Sequence, residues 1–407
     1  MSSELHAEFT AASRDFTNAE SRPQGVTPSP VALPIFIASI AFITLAFSIL
    51  RLRAIRYSSR SWLRRNAERV ALSLLILVSV AAIASTTFNA AAHYYYLSIY
   101  QAPGTIYTVD NYKMHLDCTG RGSPTIILES GLGNDSLIWG NVQPRLSRTT
   151  RICSYDRAGM GWSAPRPGSR DANEIVNQLH SLLEAAGIEG PIVLMGHSLG
   201  GIYVRAYASR YPQNVVGLIF VDSSTPLQEK YGSPDVRAIF ARNIPTYEYY
   251  FALLVSALGV PRVMGECTKV PAGFDERIGK MLAEDNCGIS LRDVWHEYKS
   301  IGRSGYETFH TGPYGDVPTL IFSQDPQQPP ESGISPKLAP ELSSAWNRLQ
   351  ENLMRLSTRS RRIIAKGSGH RIQIDRADLL NREVPILIRQ IRSKAPKPNY
   401  FGLTTTE

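Results

Sequence analysis

Pro191-Ile-Val-Leu-Met-Gly196-His197-Ser198-Leu199-Gly200-Gly201 decides how the rest of this sequence is read. Ile192 to Met195 form a short apolar run of the kind that makes a buried strand. Gly196 and Gly200 flank Ser198 in a G-x-S-x-G pattern, and Gly201 follows directly. A serine on a tight turn between strand and helix needs neighbours without side chains, because the backbone there passes close to itself. That turn lifts the hydroxyl out of the sheet and aims the next N–H groups at the same spot. Short patterns of this kind also arise by chance, so the weight lies in the strand before, the helix after and the matching pieces elsewhere.

Those pieces lie on both sides. Upstream, Thr105 to Val109 and Lys113 to Cys118 read as a hairpin through Asp110-Asn111. Thr125 to Leu128 is a buried strand leading into Glu129-Ser130-Gly131-Leu132-Gly133, and Arg151 to Tyr155 is another, leading into Asp156-Arg157-Ala158-Gly159-Met160-Gly161-Trp162-Ser163. Asp171 and Glu174 form a capping box for a helix that Gly187 ends. Downstream come a helix stopped by Pro212, the strand Val215 to Val221, and Asp222. Residues 224 to about 312 break the alternation with an aromatic helix, Tyr247 to Leu258, and read as a lid. The strand Val317 to Ser323 precedes Asp325, and the strand Arg362 to Ala365 leads to Gly367-Ser368-Gly369-His370. A last helix spans Leu379 to Ile391. Alternating strands and helices predict a mostly parallel sheet covered on both faces, over residues 104–393.

Composition adds a second part. The chain has 407 residues, 43% hydrophobic and 19% charged, with a net charge of +8. Arg51, Arg53, Arg56, Arg60, Arg64, Arg65 and Arg69 sit between two apolar runs against only Glu68, so the basic surplus signals membrane topology and not a nucleic-acid surface. The runs at 31–50 and 70–92 are each long enough to cross a bilayer core. The second ends in His93-Tyr94-Tyr95-Tyr96, an aromatic cluster suited to the lipid–water boundary. These features predict an integral membrane protein. Loop 51–69 is then cytoplasmic, and the domain after residue 97 lies outside. Residues 1–30 and 394–407 read as loose tails. Four cysteines, Cys118, Cys153, Cys267 and Cys287, fit disulfides outside the cytoplasm or buried thiols in a reduced compartment.

In combination these motifs resemble the α/β-hydrolase superfamily, and most of all bacterial membrane-anchored hydrolases of its esterase- and peptidase-like branch. The resemblance implies an eight-stranded, mostly parallel sheet with a helical lid, and catalytic residues in the order Ser, acid, His. A serine hydroxyl needs an adjacent base, which a carboxylate holds in one tautomer. Ser198 is the expected nucleophile and His370 the base, with His197 a supporting residue pointing elsewhere. Two aspartates compete for the acid. Asp325 follows the strand where the superfamily most often keeps it, but arrives about two residues early for the usual spacing. Asp222 ends the strand after the nucleophile helix, the place some relatives use, and is favoured. The Leu199 and Leu132 N–H groups are the expected oxyanion donors, with Gly131, Gly196 and Gly200 shaping the turns. Asp156 and Arg157 read as a mutual ion pair. In the superfamily's strand order Cys118 meets Cys153, leaving Cys267 and Cys287 to pair within the lid.

A serine at position 198 speaks against the epoxide-hydrolase and dehalogenase relatives, which use an aspartate there. No metal spacing or phosphate loop is present, so no metal and no cofactor is expected. The expected function is a membrane-anchored serine hydrolase acting on an apolar or aromatic acyl substrate. One alternative is an iminopeptidase- or amidase-like enzyme using the lid acids Glu266, Asp275, Glu276, Glu284 and Asp285. The other is a binding module on a hydrolase fold that does no chemistry.

Overall fold

The computed structural model describes residues 32–57, 59–241, 244–285, 287, 290–328, 334–393 and 402–407. The tail expected at 1–30 lies outside the described residues. The chain divides into two units, one reaching Ala92 and including Ala257–Val260, the other holding His93–Ser256 and Pro261–Glu407.

The first unit is built on two helices, α1 (Ala32–Ile55) and α2 (Trp62–Ile99), of which α2 runs on into the second unit. Both are long and apolar enough to cross a membrane by length and composition. They extend well past the apolar runs, so the connection expected at 51–69 shortens to residues 56–61. Hydropathy marks the part of a helix that suits lipid. The arginines beyond it are good helix formers and carry the helices onward.

In the second unit β1 (Thr105–Val109) and β2 (Tyr112–Thr119) form the hairpin, with Asp110 and Asn111 both at positive φ (46° and 68°), as a two-residue turn requires. Then follow β3 (Thr125–Glu129), β4 (Ile152–Tyr155), α3 (Ala172–Ala185), β5 (Ile192–His197), α4 (Gly200–Arg210) and β6 (Val215–Val221). The Asp171 carboxylate caps α3 through the Glu174 N–H. A cap follows, with helices α5 (Pro234–Ala241), α6 (Thr246–Ala257), α7 (Glu276–Asp285), α8 (Leu291–Lys299) and α9 (Ile301–Thr308). The alternation resumes with β7 (Thr319–Gln324), α10 (Ala339–Leu353), β8 (Ser360–Ala365) and α11 (Ala377–Arg392).

The sheet order is β1-β2-β4-β3-β5-β6-β7-β8-β9, parallel from β4 onward. Its ninth strand, Thr404–Thr406, corrects both the eight-strand expectation and the reading of the C-terminus as loose throughout. Three consecutive β-branched residues favour an extended edge strand, but three residues are too few to be read from pattern alone. One core layer packs α3 and α4 on the sheet, and the other packs α11 with Trp139 on the opposite face. The antiparallel register of β2 and β4 sets Cys118 opposite Cys153, and the two are bonded; Cys267 and Cys287 are bonded within the cap.

Candidate active site

Ser198 occupies the turn between β5 and α4 with φ 53°, a left-handed conformation that costs a side-chain-bearing residue about 1–3 kcal/mol. Neighbouring backbone holds it there. Its N–H donates to the Val221 carbonyl (3.2 Å), and its own carbonyl accepts from Gly201 (3.0 Å) and Ser224 (2.8 Å). The turn closes only because its neighbours are bare. A Cβ on Gly196 would lie 2.7 Å from the Gly200 backbone, and one on Gly200 would lie 2.5 Å from the Glu129 carbonyl oxygen.

His370 follows β8 on the turn that begins at Gly367. Its Nε2 lies 2.9 Å from Ser198 Oγ, and its Nδ1 lies 2.6 Å from Asp222 Oδ2. Asp222, fully buried at the end of β6, also accepts from the Gln324 N–H (2.9 Å) and from the Trp346 indole N–H (3.0 Å) on α10. Ser198, His370 and Asp222 are therefore brought into one hydrogen-bonded line. Asp325 stands apart from it: its carboxylate accepts from Gly367 and Gln327 N–H groups, both at 2.9 Å, and so braces the turn that carries His370. His197 donates through Nε2 to the His370 carbonyl (3.1 Å), and burial holds its ring well below the usual histidine range.

The loop after β3 runs beside the serine. A Cβ on Gly131 would lie 3.1 Å from Ser198 Cβ and 3.0 Å from His197 Nδ1. Leu132 follows on this loop, and Leu199 opens the first turn after the serine, where helical N–H groups have no acceptor inside the helix.

Arg157 and Asp156 do not pair with each other. Arg157 is buried and donates to Glu129 (2.8 Å), to Glu297 (2.5 and 3.0 Å) and to the Ser130 and Gly131 carbonyls (2.8 and 2.7 Å). Asp156 lies 2.8 Å from His115 Nδ1 and accepts from the Ser136 and Trp162 N–H groups. Both residues lie just past the end of β4, and each is met by partners that other elements bring to it. Burial pushes the Glu129 carboxyl up to about 7, against the pull of Arg157 and the Tyr155 hydroxyl. Glu297, on α8 of the cap, also accepts the Gly133 N–H at 2.9 Å, so a cap helix holds the loop beside Ser198.

Sequence reading missed Trp346 and Glu297. Trp346 stands at helix spacing from Leu349 and Leu353, the pattern of an ordinary core stripe. Asp293 and Glu297 did leave a trace, as two carboxylates one turn apart on a single helix; Asp293 pairs with buried Arg170 at 2.9 Å. Among the described residues no cluster of His, Cys, Asp and Glu could hold a metal ion.

A family model described as the alpha/beta hydrolase fold matches residues 124–377. The chain is 26% identical over 300 residues to a probable transporter, efuK, of Hormonema carpetanum, covering 67% of this chain and 40% of that protein. It is 25% identical over 292 residues to an AB hydrolase superfamily protein of Gibberella zeae, covering 66% of this chain and 87% of that one. The chain spans about half the length of two curated relatives that it matches, 40% and 56%. The crystal structure of a membrane phospholipase A superposes with a TM-score of 0.53 at 19% identity, over 80% of this chain and 99% of that one.

Proposed function

Because this chain belongs to the α/β-hydrolase family, we propose that it is a membrane-anchored serine hydrolase that cleaves an ester or related acyl bond through an acyl-enzyme. The observation that carries the proposal is the line Ser198 Oγ–His370 Nε2 (2.9 Å) and His370 Nδ1–Asp222 (2.6 Å), presented on a strand-to-helix turn. In this reading His370 takes the proton as Ser198 Oγ attacks the acyl carbon. The tetrahedral oxyanion sits against the Leu199 and Leu132 N–H groups. Collapse passes the proton from His370 to the leaving oxygen and expels the alcohol. Water then repeats the sequence on the acyl-serine, which releases the acid and restores the serine.

The lid acids give little support to recognition of a free amine. Glu284 is engaged by Arg262 and His93, Glu276 by Lys280 and Glu266 by Lys269, while Asp275 caps α7 through the Arg277 and Ile278 N–H groups. The Asp285 side chain lies outside the described residues. An ester is therefore favoured over an aminoacyl amide. The membrane reading rests on α1 and α2, long and apolar enough to span, and on the arginines between residues 51 and 69; the tendency of arginines to stay inside supports a cytoplasmic 51–69 and a hydrolase unit outside.

Turnover of short aryl esters against aminoacyl arylamides tests the assignment. The wild type should prefer the ester, and Ser198→Ala should lower kcat by about 10³-fold or more. An unchanged rate in Ser198→Ala would refute it, and preference for the arylamide would move it to the peptidase class.

A further inference from the structure

The cap turns an apolar face outward. On α6, Tyr247, Tyr250, Phe251 and Leu254 follow the i, i+3, i+4, i+7 spacing of a single helix face and are 71%, 62%, 67% and 43% exposed. The opposite side of the helix is already used: Tyr249 is 6% exposed and stacks on Trp295 of α8 at 4.4 Å. Val263 and Met264, just beyond, are exposed by 69% and 67%. A helix that fills its inner face with an aromatic stack and still shows four large apolar side chains outside is built to be covered.

The cover can be identified from what adjoins it. The Glu284 carboxylate on α7 accepts from Arg262 (3.1 Å) and from His93 Nδ1 (3.3 Å). Arg262 immediately precedes Val263 and Met264. His93 immediately precedes Tyr94 and Tyr95, which are 68% and 69% exposed, and the Tyr96 hydroxyl donates to the Met281 carbonyl of the same α7 (3.3 Å). One carboxylate thus anchors both the apolar cap edge and the aromatic end of the helix read as leaving the bilayer. Aromatic rings with a polar tip favour that boundary.

We propose that the outer face of α6, with Val263 and Met264, sits in the lipid–water interface of the membrane that α1 and α2 cross, and that the enzyme draws an amphiphilic acyl ester from the lipid phase. The proposal rests on the membrane-anchored hydrolase reading and adds to it a docking face and a substrate class. The face is linked to the chemistry through α8. Trp295, stacked on the inner side of α6, shares α8 with Glu297, which holds the Gly133 N–H of the loop beside Ser198.

The test uses the full chain reconstituted in phosphatidylcholine–phosphatidylglycerol vesicles, labelled with an environment-sensitive dye at one added cysteine. Phe251→Cys reports the cap, Leu77→Cys the apolar helix and Arg121→Cys an exposed site in the hydrolase unit. Nitroxide-bearing lipids should quench the Phe251→Cys and Leu77→Cys labels several-fold more than the Arg121→Cys label. Quenching at Leu77→Cys without quenching at Phe251→Cys would overturn the docking face and leave the anchor intact. Loss of quenching at both would remove the membrane reading as well. A Phe251→Cys label that is dehydrated but not quenched by lipid would assign the face to a second protein surface, and overturn the proposal. The substrate claim has its own readout. Phe251→Asp should slow hydrolysis of a long-chain ester carried in vesicles at least several-fold while leaving a soluble short ester unaffected. An equal effect on both, or on neither, overturns it.

Discussion

Asp222→Asn lowers kcat/KM for an acyl ester by about 10⁴-fold, whereas Asp325→Asn costs no more than about tenfold. Asp222 is fully buried and receives three donors: the His370 ring, the Gln324 N–H and the Trp346 indole. An amide there keeps the shape but loses the charge that favours a protonated ring, and it offers His370 the wrong tautomer. Among the described residues the Asp325 carboxylate accepts from backbone N–H groups at Gln327 and Gly367. Its amide variant keeps one acceptor oxygen and disturbs the His370 turn without touching the ring. Trp346→Phe falls between the two, because it removes one hydrogen bond to a charged acceptor, about 1.5–3 kcal/mol. Steady-state kinetics on the three variants decides the matter, and a larger loss in Asp325→Asn than in Asp222→Asn would reverse the assignment.

Arg157→Ala destabilises the hydrolase unit by about 3–5 kcal/mol. The guanidinium is buried between Glu129 and Glu297 and also satisfies the Ser130 and Gly131 carbonyls. Removing it leaves two carboxylates facing each other away from water, and the protein must protonate them, admit water or part the cap from the loop. At roughly 1–2 °C per kcal/mol for a unit of this size, the full chain in detergent should melt about 3–10 °C lower. Glu297→Gln keeps an acceptor for Gly133 and should fall by less than Arg157→Ala. A melting point unchanged in Arg157→Ala would show that the network stabilises nothing.

The site was legible in the sequence where chemistry is local. The glycines at 196 and 200, the Asp110-Asn111 turn and the Asp171 cap each encode their geometry within a few residues, and the structure places each of those turns accordingly. The choice between Asp222 and Asp325 was not local. Both follow adjacent parallel strands, β6 and β7, and only the approach of the turn after β8 brings the His370 ring to one of them. The Asp156–Arg157 pairing failed because each charge meets partners from distant parts of the chain, Arg157 at Glu129 and Glu297 and Asp156 at His115, so proximity along the chain predicted the wrong partners. Trp346 lies 124 residues from the carboxylate that it holds, and no spacing rule reaches that far. The short strand at Thr404–Thr406 shows its β-branched residues but gains its meaning only from the open edge of β8.

The central claim is that the hydroxyl of Ser198 is the group that reacts. Treatment of the full chain with a fluorophosphonate, followed by intact-mass measurement and peptide mapping, tests it most directly. The account predicts a single adduct on Ser198, absent in Ser198→Ala and strongly slowed in His370→Ala. An unlabelled wild type, or an adduct on any other residue, would contradict it.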